Sequence, residues 1–442
     1  MKRYLMTMVT SVALLAAACG QSSAQGPWSL EKCIDYALEH SIPVRQQQIS
    51  VAQGEIELNT AQNSRLPSLS GSASENFSFG RGLTADNTYD NSNTTSTSFS
   101  LGTDVPVFRG FQIKNNIALS KLNLAAAVSD LDKIKDNIRV SVAQAYVQVL
   151  YAQEILQVAK NQVGIDSLQV ERLIALESNG RASLAEVAQQ KASLSQSRYS
   201  VTQASNNLNL ALLDLSQLLE LPSPEGFSVV KPQASELIPS ILDTPEQVYA
   251  SAVEIRPAIQ TELARLDVAS TRIALAKGSM LPSISLSGGI GTNYYTSSRY
   301  ASASFGQQAK NNFSQYLGLS LGVPIFTRFA NRNSIRNAQL GYQAQELQLE
   351  NAKKSLYKEI QQAWANAVAS QAKLLSSQEA AASAEESFEL VKAKYENGKA
   401  SVTEFDQARN SLVRSQSDLV QAQYENYFNS RLLEFYKGVP LK

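Results

Sequence analysis

The stretch VPVFRGF at residues 105–111 returns as VPIFTRF at residues 323–329, an offset of 218 residues. Neighbouring features keep that offset: Ala145-Tyr146 recurs as Ala363-Trp364, Asn179-Gly180 as Asn397-Gly398, and Pro222 as Pro440. Upstream the offset is 214 or 215, with Glu31 answering to Glu246, Pro43 to Pro257 and Leu66-Pro67 to Leu281-Pro282. The change of offset falls between the Leu-Pro and Pro-Phe signals, where a loop takes the insertion. Two structural halves, each roughly 200 residues, account for this pattern; short solenoid repeats do not fit that period.

Working outward, TTSTSFSLGTDVPVF places Phe99, Leu101, Val105 and Val107 on one face with Ser98, Ser100, Gly102 and Asp104 opposite. From Leu66, LPSLSGSASENFSFG alternates Leu69, Gly71, Ala73, Phe77 and Phe79 with Ser68, Ser70, Ser72, Ser74, Asn76 and Ser78. The second half repeats this: Ile284, Leu286 and Ile290 share a face, as do Leu317, Leu319, Leu321, Val323 and Ile325. Period two is the signature of a strand. A soluble sheet would wet its polar face with long charged side chains, yet here that face is Ser, Gly, Thr and Asn. Four such strands, about 10 to 15 residues each with a long loop in each hairpin, match an outer-membrane barrel.

Four strands cannot close a barrel alone. An open edge in lipid leaves backbone groups unpaired at several kcal/mol each, and about eight strands is the practical minimum. Other copies must complete the sheet, and a trimer of twelve strands is an attractive solution. Glu75 falls on the lipid-facing side, where a place near the barrel rim accommodates it.

The amino terminus, MKRYLMTMVTSVALLAAACGQSSAQ, has Lys2 and Arg3, a short apolar run and then small residues. It reads as a secretory leader, residues 1–24. Cleavage after Ala24 and lipidation at Cys19 are both compatible with it. Cys33 is then the only unmodified thiol, so no disulfide framework is expected. Lys plus Arg and Asp plus Glu each number 39, a formal net charge of zero. That balance argues against a nucleic-acid partner. The single histidine, His40, cannot build a metal site. No phosphate-binding glycine loop, nucleophile elbow or Cys/His cluster is present, so no enzyme, cofactor or metal is expected.

Between Pro106 and Pro222, and between Pro324 and Pro440, there is no proline, and Ala, Leu, Gln, Glu and Lys dominate. Good helix formers with seams such as Leu356, Ile360, Ala363, Ala367, Ser370 and Leu374 predict long packed helices. Each segment is interrupted once, by ESNGRASLAEV at 177–187 and YENGKASVTEF at 395–405. Gly180 and Gly398 supply left-handed stops, and Ser183 with Glu186, or Ser401 with Glu404, makes a capping box. Each segment is thus a helical hairpin, with arms expected at about 65 residues and roughly 100 Å.

The fold class expected is α+β. Its parts are a helix at 25–65, a transmembrane β-hairpin at 66–108, a helical hairpin at 109–222 and a linker at 223–244. A helix at 245–280, a second β-hairpin at 281–326, a second helical hairpin at 327–438 and a tail at 439–442 follow.

Three features together resemble the TolC family of outer-membrane efflux and secretion channels: the two-fold repeat, the Val-Pro-(Val/Ile)-Phe strand exits, and the Asn-Gly-x-Ala-Ser-x-x-Glu tips at 179–186 and 397–404. The resemblance covers essentially the whole mature chain. Where the family commonly has Gly after Pro-Phe, the first copy keeps Gly110 and the second has Thr327-Arg328-Phe329. The resemblance implies a homotrimer, a twelve-stranded barrel set in outer-membrane lipid of a Gram-negative bacterium, and a periplasmic α-helical barrel closing at its tip. It also implies passive export, with a periplasmic adaptor (membrane fusion) protein and an inner-membrane pump of the RND or ABC type as partners.

By position from the tip glycines, the resemblance assigns Glu186 and Glu404 to acidic positions of the aperture and Tyr395 to a tyrosine that bridges to the first hairpin's acid. The next acidic position falls on Gln407, with Asp406 beside it. The basic latch position falls on Ala400, with Lys399 and Arg181 adjacent. Copies of a carboxylate converging on an axis repel and shift their pKa upward, and such rings select ions; plain helix capping is the competing role for Glu186 and Glu404. Asn179, Gly180, Ala182 and Ser183, with Asn397, Gly398, Ala400 and Ser401, are expected to dock the adaptor. The competing function is an exported coiled-coil scaffold or adhesin without channel activity. The cargo stays open.

Overall fold

The computed structural model describes residues 26–83, 87–232, 242–299 and 301–441. The leader, Cys19 and the middle of the 223–244 linker lie outside the described residues. In chain order the elements are α1 (Leu30–His40), α2 (Ile42–Asn63), β1 (Ser68–Ser78), β2 (Arg81–Leu83), β3 (Tyr89–Asn91), β4 (Thr94–Arg109), α3 (Gln112–Ser178) and α4 (Leu184–Leu218). Then come α5 (Pro245–Ile255), α6 (Pro257–Gly278), β5 (Ser283–Ser297), α7 (Phe305–Asn311), β6 (Ser314–Gly322), α8 (Ala330–Glu396) and α9 (Val402–Tyr436). The chain divides into two units, each drawing on both halves of the repeat: residues 48–130 with 260–352, and the remainder.

In the first of these units, β1, β4, β5 and β6 form one antiparallel sheet in the order β1-β4-β5-β6. Gly71 stands opposite Leu101, Leu101 opposite Ile290, and Leu286 opposite Leu319. That register gathers the apolar positions of all four strands on one side, as period-two alternation requires. Much of that side is open among the described residues: Leu69, Leu317 and Leu319 are 73%, 79% and 73% exposed. On the other side Ser72 meets Ser100 at 2.7 Å and Ser74 meets Ser98 at 2.8 Å, hydroxyl to hydroxyl. Glu75 accepts from the Thr97 hydroxyl at 3.4 Å, three residues from the loop end of β1.

Three features of this sheet depart from expectation. β6 stops at Gly322 rather than continuing through Ile325, because Gly322 already faces Ser283, the first residue of its partner. The loop of the first hairpin contains its own small pair, β2 with β3. The second loop contains α7, which takes over the edge of β5 above Ser314. There the Gln308 side chain accepts from Tyr295 N at 2.9 Å and donates to Tyr295 O at 2.9 Å, while Asn312 Nδ2 donates to Asn293 O at 2.7 Å. Phe305 packs edge-on against Tyr294 and Phe99, at 5.3 and 6.3 Å.

The repeated Phe-x-x-Phe of the strand exits has a shared geometry. Gly110 and Phe111 take φ values of 55° and 62°, and Arg328 and Phe329 take 51° and 62°. Two consecutive left-handed residues turn the chain from strand to helix and bring the phenylalanines edge to face, Phe108 on Phe111 at 5.2 Å and Phe326 on Phe329 at 5.7 Å. Gly110 is required for a second reason: a Cβ there would collide with the Gly278 carbonyl oxygen. Arg328 holds the same left-handed conformation, in which an L-residue pays about 1–2 kcal/mol. Arg328→Gly is therefore expected to stabilise the fold by up to about 1 kcal/mol after the extra backbone entropy of glycine is subtracted. An upward shift in thermal denaturation of the purified protein checks it.

The helices differ from the sequence expectation at two points. Residues 28–65 are not one helix: α1 ends at Ser41 and α2 begins at Ile42, and the second half repeats the break at Arg256, between α5 and α6. Pro257 accounts for the second, since the residue before a proline, Arg256, avoids the helical region; at the first, the extended residue is Ser41, and Pro43 sits in the first turn of α2, where its missing N–H leaves no helical bond unmade. The hairpin arms are also unequal. Each outgoing arm has 67 residues and each returning arm 35. The inequality follows from where the tips fall, well past the midpoint between Pro106 and Pro222 and between Pro324 and Pro440; Glu220 (φ 56°) and Gly438 (φ 100°) then reverse the backbone two residues before Pro222 and Pro440. Among the described residues, no helix is long and apolar enough to cross a membrane.

The other unit has a conventional core in which Trp28, Cys33 and Ile34 pack with Val142, Leu150, Leu215, Tyr427 and Phe435. Tyr146 pins the start of the chain to the linker, its hydroxyl lying 3.1 Å from Trp28 O and 2.6 Å from Val230 O. Arg256, at the α5–α6 break, turns inward to Asp136 at 2.9 Å and to the Phe435 carbonyl, with its guanidinium 4.0 Å from the Phe435 ring.

Candidate functional site

The hairpin tips are built by local rules. Gly180 and Gly398 take φ values of 69° and 70°. Arg181 N then reaches back to Leu176 O, and Lys399 N to Lys394 O, each at 2.8 Å. The next helices begin with two superposable capping boxes. Ser183 N donates to Glu186 Oε2 at 2.7 Å and Glu186 N donates to Ser183 Oγ at 3.2 Å; Ser401 and Glu404 repeat both distances. These bonds hold both carboxyls below the usual carboxylate range, first through the backbone N–H and then through the serine hydroxyl. The upward shift expected for a converging ring is thus opposed within each protomer by its own cap.

The sequence-assigned residues separate into two groups. Glu404, Gln407, Lys399 and Arg181, with Asn179, Gly180, Ser183, Asn397, Gly398 and Ser401, are exposed; Glu186, Ala182 and Ala400 are half-buried. Tyr395 and Asp406 instead turn into the packing between the hairpins. The Tyr395 ring stacks on Phe405 at 4.9 Å, with Arg172 on its other side at 5.8 Å. Burial raises its hydroxyl pKa first, with Gln169 beside it acting in the opposite sense and Glu186 present only as a nearby charge. Within the protomer the Glu186 carboxylate bonds Ser183 through Oε2 alone and stands to Tyr395 as a nearby charge. Asp406 lies 3.1 Å from Arg409, and burial pushes its carboxyl up.

Between the hairpins lies a buried charge cluster that the sequence reading missed. Asp166 on α3 is 1% exposed. It accepts from Gln162 Nε2 at 3.0 Å, from Gln190 Nε2 at 3.4 Å, from the Ser197 hydroxyl and from Arg409 Nη1. One carboxylate thus joins α3, α4 and α9. Just below it, Phe388, Phe405 and Leu412 form an apolar cluster that takes in Ile165 of α3. Nearer the tip, Arg172 reaches Glu396 Oε1 at 3.5 Å and donates to Glu396 O at 2.9 Å. The available signal was Arg409 itself, a charge in the apolar seam of Phe405 and Leu412.

The sequence matches the family described as outer membrane efflux protein over residues 33–220 and 248–438. It is 25% identical to the outer membrane protein TolC of Escherichia coli (strain K12) over 397 residues, 85% of this chain and 75% of the other. It is 21% identical to the outer membrane efflux protein BepC of Brucella suis biovar 1 (strain 1330) over 419 residues, 95% of this chain and 87% of the other. Among solved structures, CusC superposes with a TM-score of 0.77 at 20% identity, covering 92% of this chain and 91% of that one. The outer membrane protein VceC of Vibrio cholerae superposes with a TM-score of 0.75 at 19% identity, covering 93% and 97%.

Proposed function

We propose that this chain, which belongs to the outer membrane efflux protein family, assembles as a homotrimer and serves as the passive conduit of a tripartite efflux or type I secretion system. The protein is a TolC-like channel of the outer membrane. One observation carries the conduit reading: a four-stranded sheet whose apolar face is largely open and whose end strands, β1 and β6, each keep a free edge in the protomer. In lipid such edges must pair, and joining β6 of one copy to β1 of the next closes the sheet. A periplasmic adaptor docks on the tips around Asn179, Gly180, Ala182 and Ser183 and around Asn397, Gly398, Ala400 and Ser401, and an inner-membrane pump supplies the energy. The test is outer-membrane fractionation, a detergent-stable trimer and single-channel current in a planar bilayer. A protein released by salt, without conductance, ends the reading.

In this reading Glu186, Glu404 and Gln407 face the narrow end of the path, with Lys399 and Arg181 close by and Tyr395 and Asp406 behind them. Glu404→Gln removes the charge while keeping a side chain that can still close the capping box. It is expected to weaken cation preference in single-channel reversal potentials. Unchanged selectivity places Glu404 away from the constriction.

A further inference from the structure

The strand ends that join the helices all lie at one end of the sheet, since Ser68 faces Asp104, Arg109 faces Ser283 and Ser283 faces Gly322. Around them the charge is one-sided. Residues 105–129, 268–284 and 323–345 carry eight Lys and Arg and no Asp or Glu, in a chain where the two signs balance. Lys114, Lys277, Arg332 and Arg336 are exposed and, among the described residues, form no ion pair. Further from the sheet the cations are held: Arg265 lies 2.9 Å from Asp130 and 3.2 Å from Glu262. Beside the free cations stand bare apolar side chains, with Phe111, Ile325, Phe326 and Phe329 between 58% and 92% exposed.

Helix contacts and chain handedness fix the direction these cations face. The N–H of Tyr295 and the carbonyls of Tyr295 and Asn293 point to the β6 side of β5, and both residues sit on the serine side, opposite Ser96 and Ser98. For L-residues this puts β6 to the left of β5, and β4 then β1 to its right, seen from the apolar side with the helices below. α8 therefore has α6 on its right, where Asn331 donates to Ser279 O at 2.7 Å and Gln345 to Glu262 Oε2 at 2.7 Å. A right-handed helix running down turns from its right flank to its outer face in about 100°, one residue. Arg332 is one residue beyond Asn331 and Arg336 one turn beyond Arg332, so both face outward, on the apolar side of the sheet. The same rotation brings Lys114 outward on α3, counted from Leu124 against Gly54 of α2, and Lys277 outward on α6, counted from Glu262. It sends Asn123, Arg272 and Gly341 to the opposite face, where they line one cavity.

We propose that this outward band of cations and aromatic side chains docks the headgroups of anionic phospholipids, of the phosphatidylglycerol type, in the periplasmic leaflet of the outer membrane. This rests on the reading of the sheet as part of a barrel in lipid. Aromatic side chains settle at headgroup level, and Lys and Arg just beyond an apolar band reach the phosphates while their stems lie along hydrocarbon. Lys114, Lys277 and Arg332 sit in the helix turn next to the sheet, and Arg336 about 6 Å lower. With no carboxylate in these segments, the lipid phosphate is the anion that matches them.

The test is binding of phosphatidylglycerol against phosphatidylcholine to the purified trimer in neutral detergent, read by native mass spectrometry. The unaltered protein is expected to prefer phosphatidylglycerol at least about tenfold at low salt, each cation contributing up to about fivefold. That preference should fall as potassium chloride is raised. A quadruple variant, Lys114→Gln, Lys277→Gln, Arg332→Gln and Arg336→Gln, changes only exposed side chains and is expected to bind both lipids alike. Arg109→Gln with Arg272→Gln, on the serine and cavity side, is expected to keep the preference. The proposal is overturned by equal binding of the two lipids to the unaltered protein, by a preference indifferent to salt, by its survival in the quadruple variant, or by its loss in the double one. Current across a planar bilayer is recorded from the same unaltered protein. Current without lipid preference removes the lipid assignment alone, whereas a protein that forms no trimer and carries no current removes the barrel reading first.

Discussion

Arg409→Ala is expected to cost about 3–5 kcal/mol of stability in the hairpin unit, the usual loss when one partner of a buried ion pair is removed. Arg409 is 5% exposed and Asp166 1%, so water does not replace the lost partner. The variant leaves Asp166 held by Gln162, Gln190 and Ser197 but without its counter-charge, and takes from Asp406 the guanidinium 3.1 Å away. Two signatures identify charge rather than packing as the cause. Asp166→Asn and Asp406→Asn combined with Arg409→Leu removes all three charges, keeps an acceptor for Gln162, Gln190 and Ser197, and is expected to recover much of the loss, since the unpaired charges carry most of it. The single variant should also regain stability as pH falls. Burial already raises the Asp406 carboxyl, and an acid whose folded pKa lies above its unfolded one destabilises the fold as pH rises through the unfolded value. Thermal denaturation across acidic pH, with limited proteolysis near the tips, reads both. A triple variant as unstable as the single one assigns the effect to packing.

The elements that the sequence displays openly are those whose rule is local. Alternation from Leu66 and from Thr94 marks strands because every second side chain faces the same way, and ENGKAS marks a tip because a left-handed glycine and a capping serine act within a few residues. The arms are unequal because the tip Asn-Gly lies far nearer the second proline of each segment than the first, so the return arms end at residues 218 and 436 after about half the expected length. The breaks at Ser41 and Arg256 have prolines beside them, yet the helical texture resumes immediately and hides the interruption.

The charge cluster was illegible for a different reason. Asp166 lies in VGIDSLQVER, where an acidic residue among Gln and Ser reads as a solvated helix face. Its burial depends on Arg409, 243 residues away, and no local period reports that pairing. The tip carboxylates show the converse. Glu186 and Glu404 were legible as caps from spacing alone, and the structure uses them so, which gives each a structural duty that any role in ion selection must share.

The membrane face gives the other large effect. Leu319→Arg is expected to prevent accumulation of assembled trimer in the outer membrane, whereas Ser320→Arg, one residue on, is expected to leave assembly intact. Both side chains are exposed in the protomer, so exposure does not distinguish them. Direction does: Leu319 stands opposite Leu286 on the apolar side, and Ser320 opposite Ser285 on the side of the serine ladder. An arginine on the lipid side near mid-membrane costs about 2–4 kcal/mol, and a trimer incurs that three times, a sum comparable to the whole stability of a typical domain. On the other side the same guanidinium meets water and adds three positive charges to the path, so the conductance of Ser320→Arg should shift toward anions. Heat-modifiable trimer bands in outer-membrane fractions read the first outcome and reversal potentials the second. Normal assembly of Leu319→Arg, or loss of assembly in Ser320→Arg, would reverse the assignment of the two faces and with it the direction in which the sheet closes.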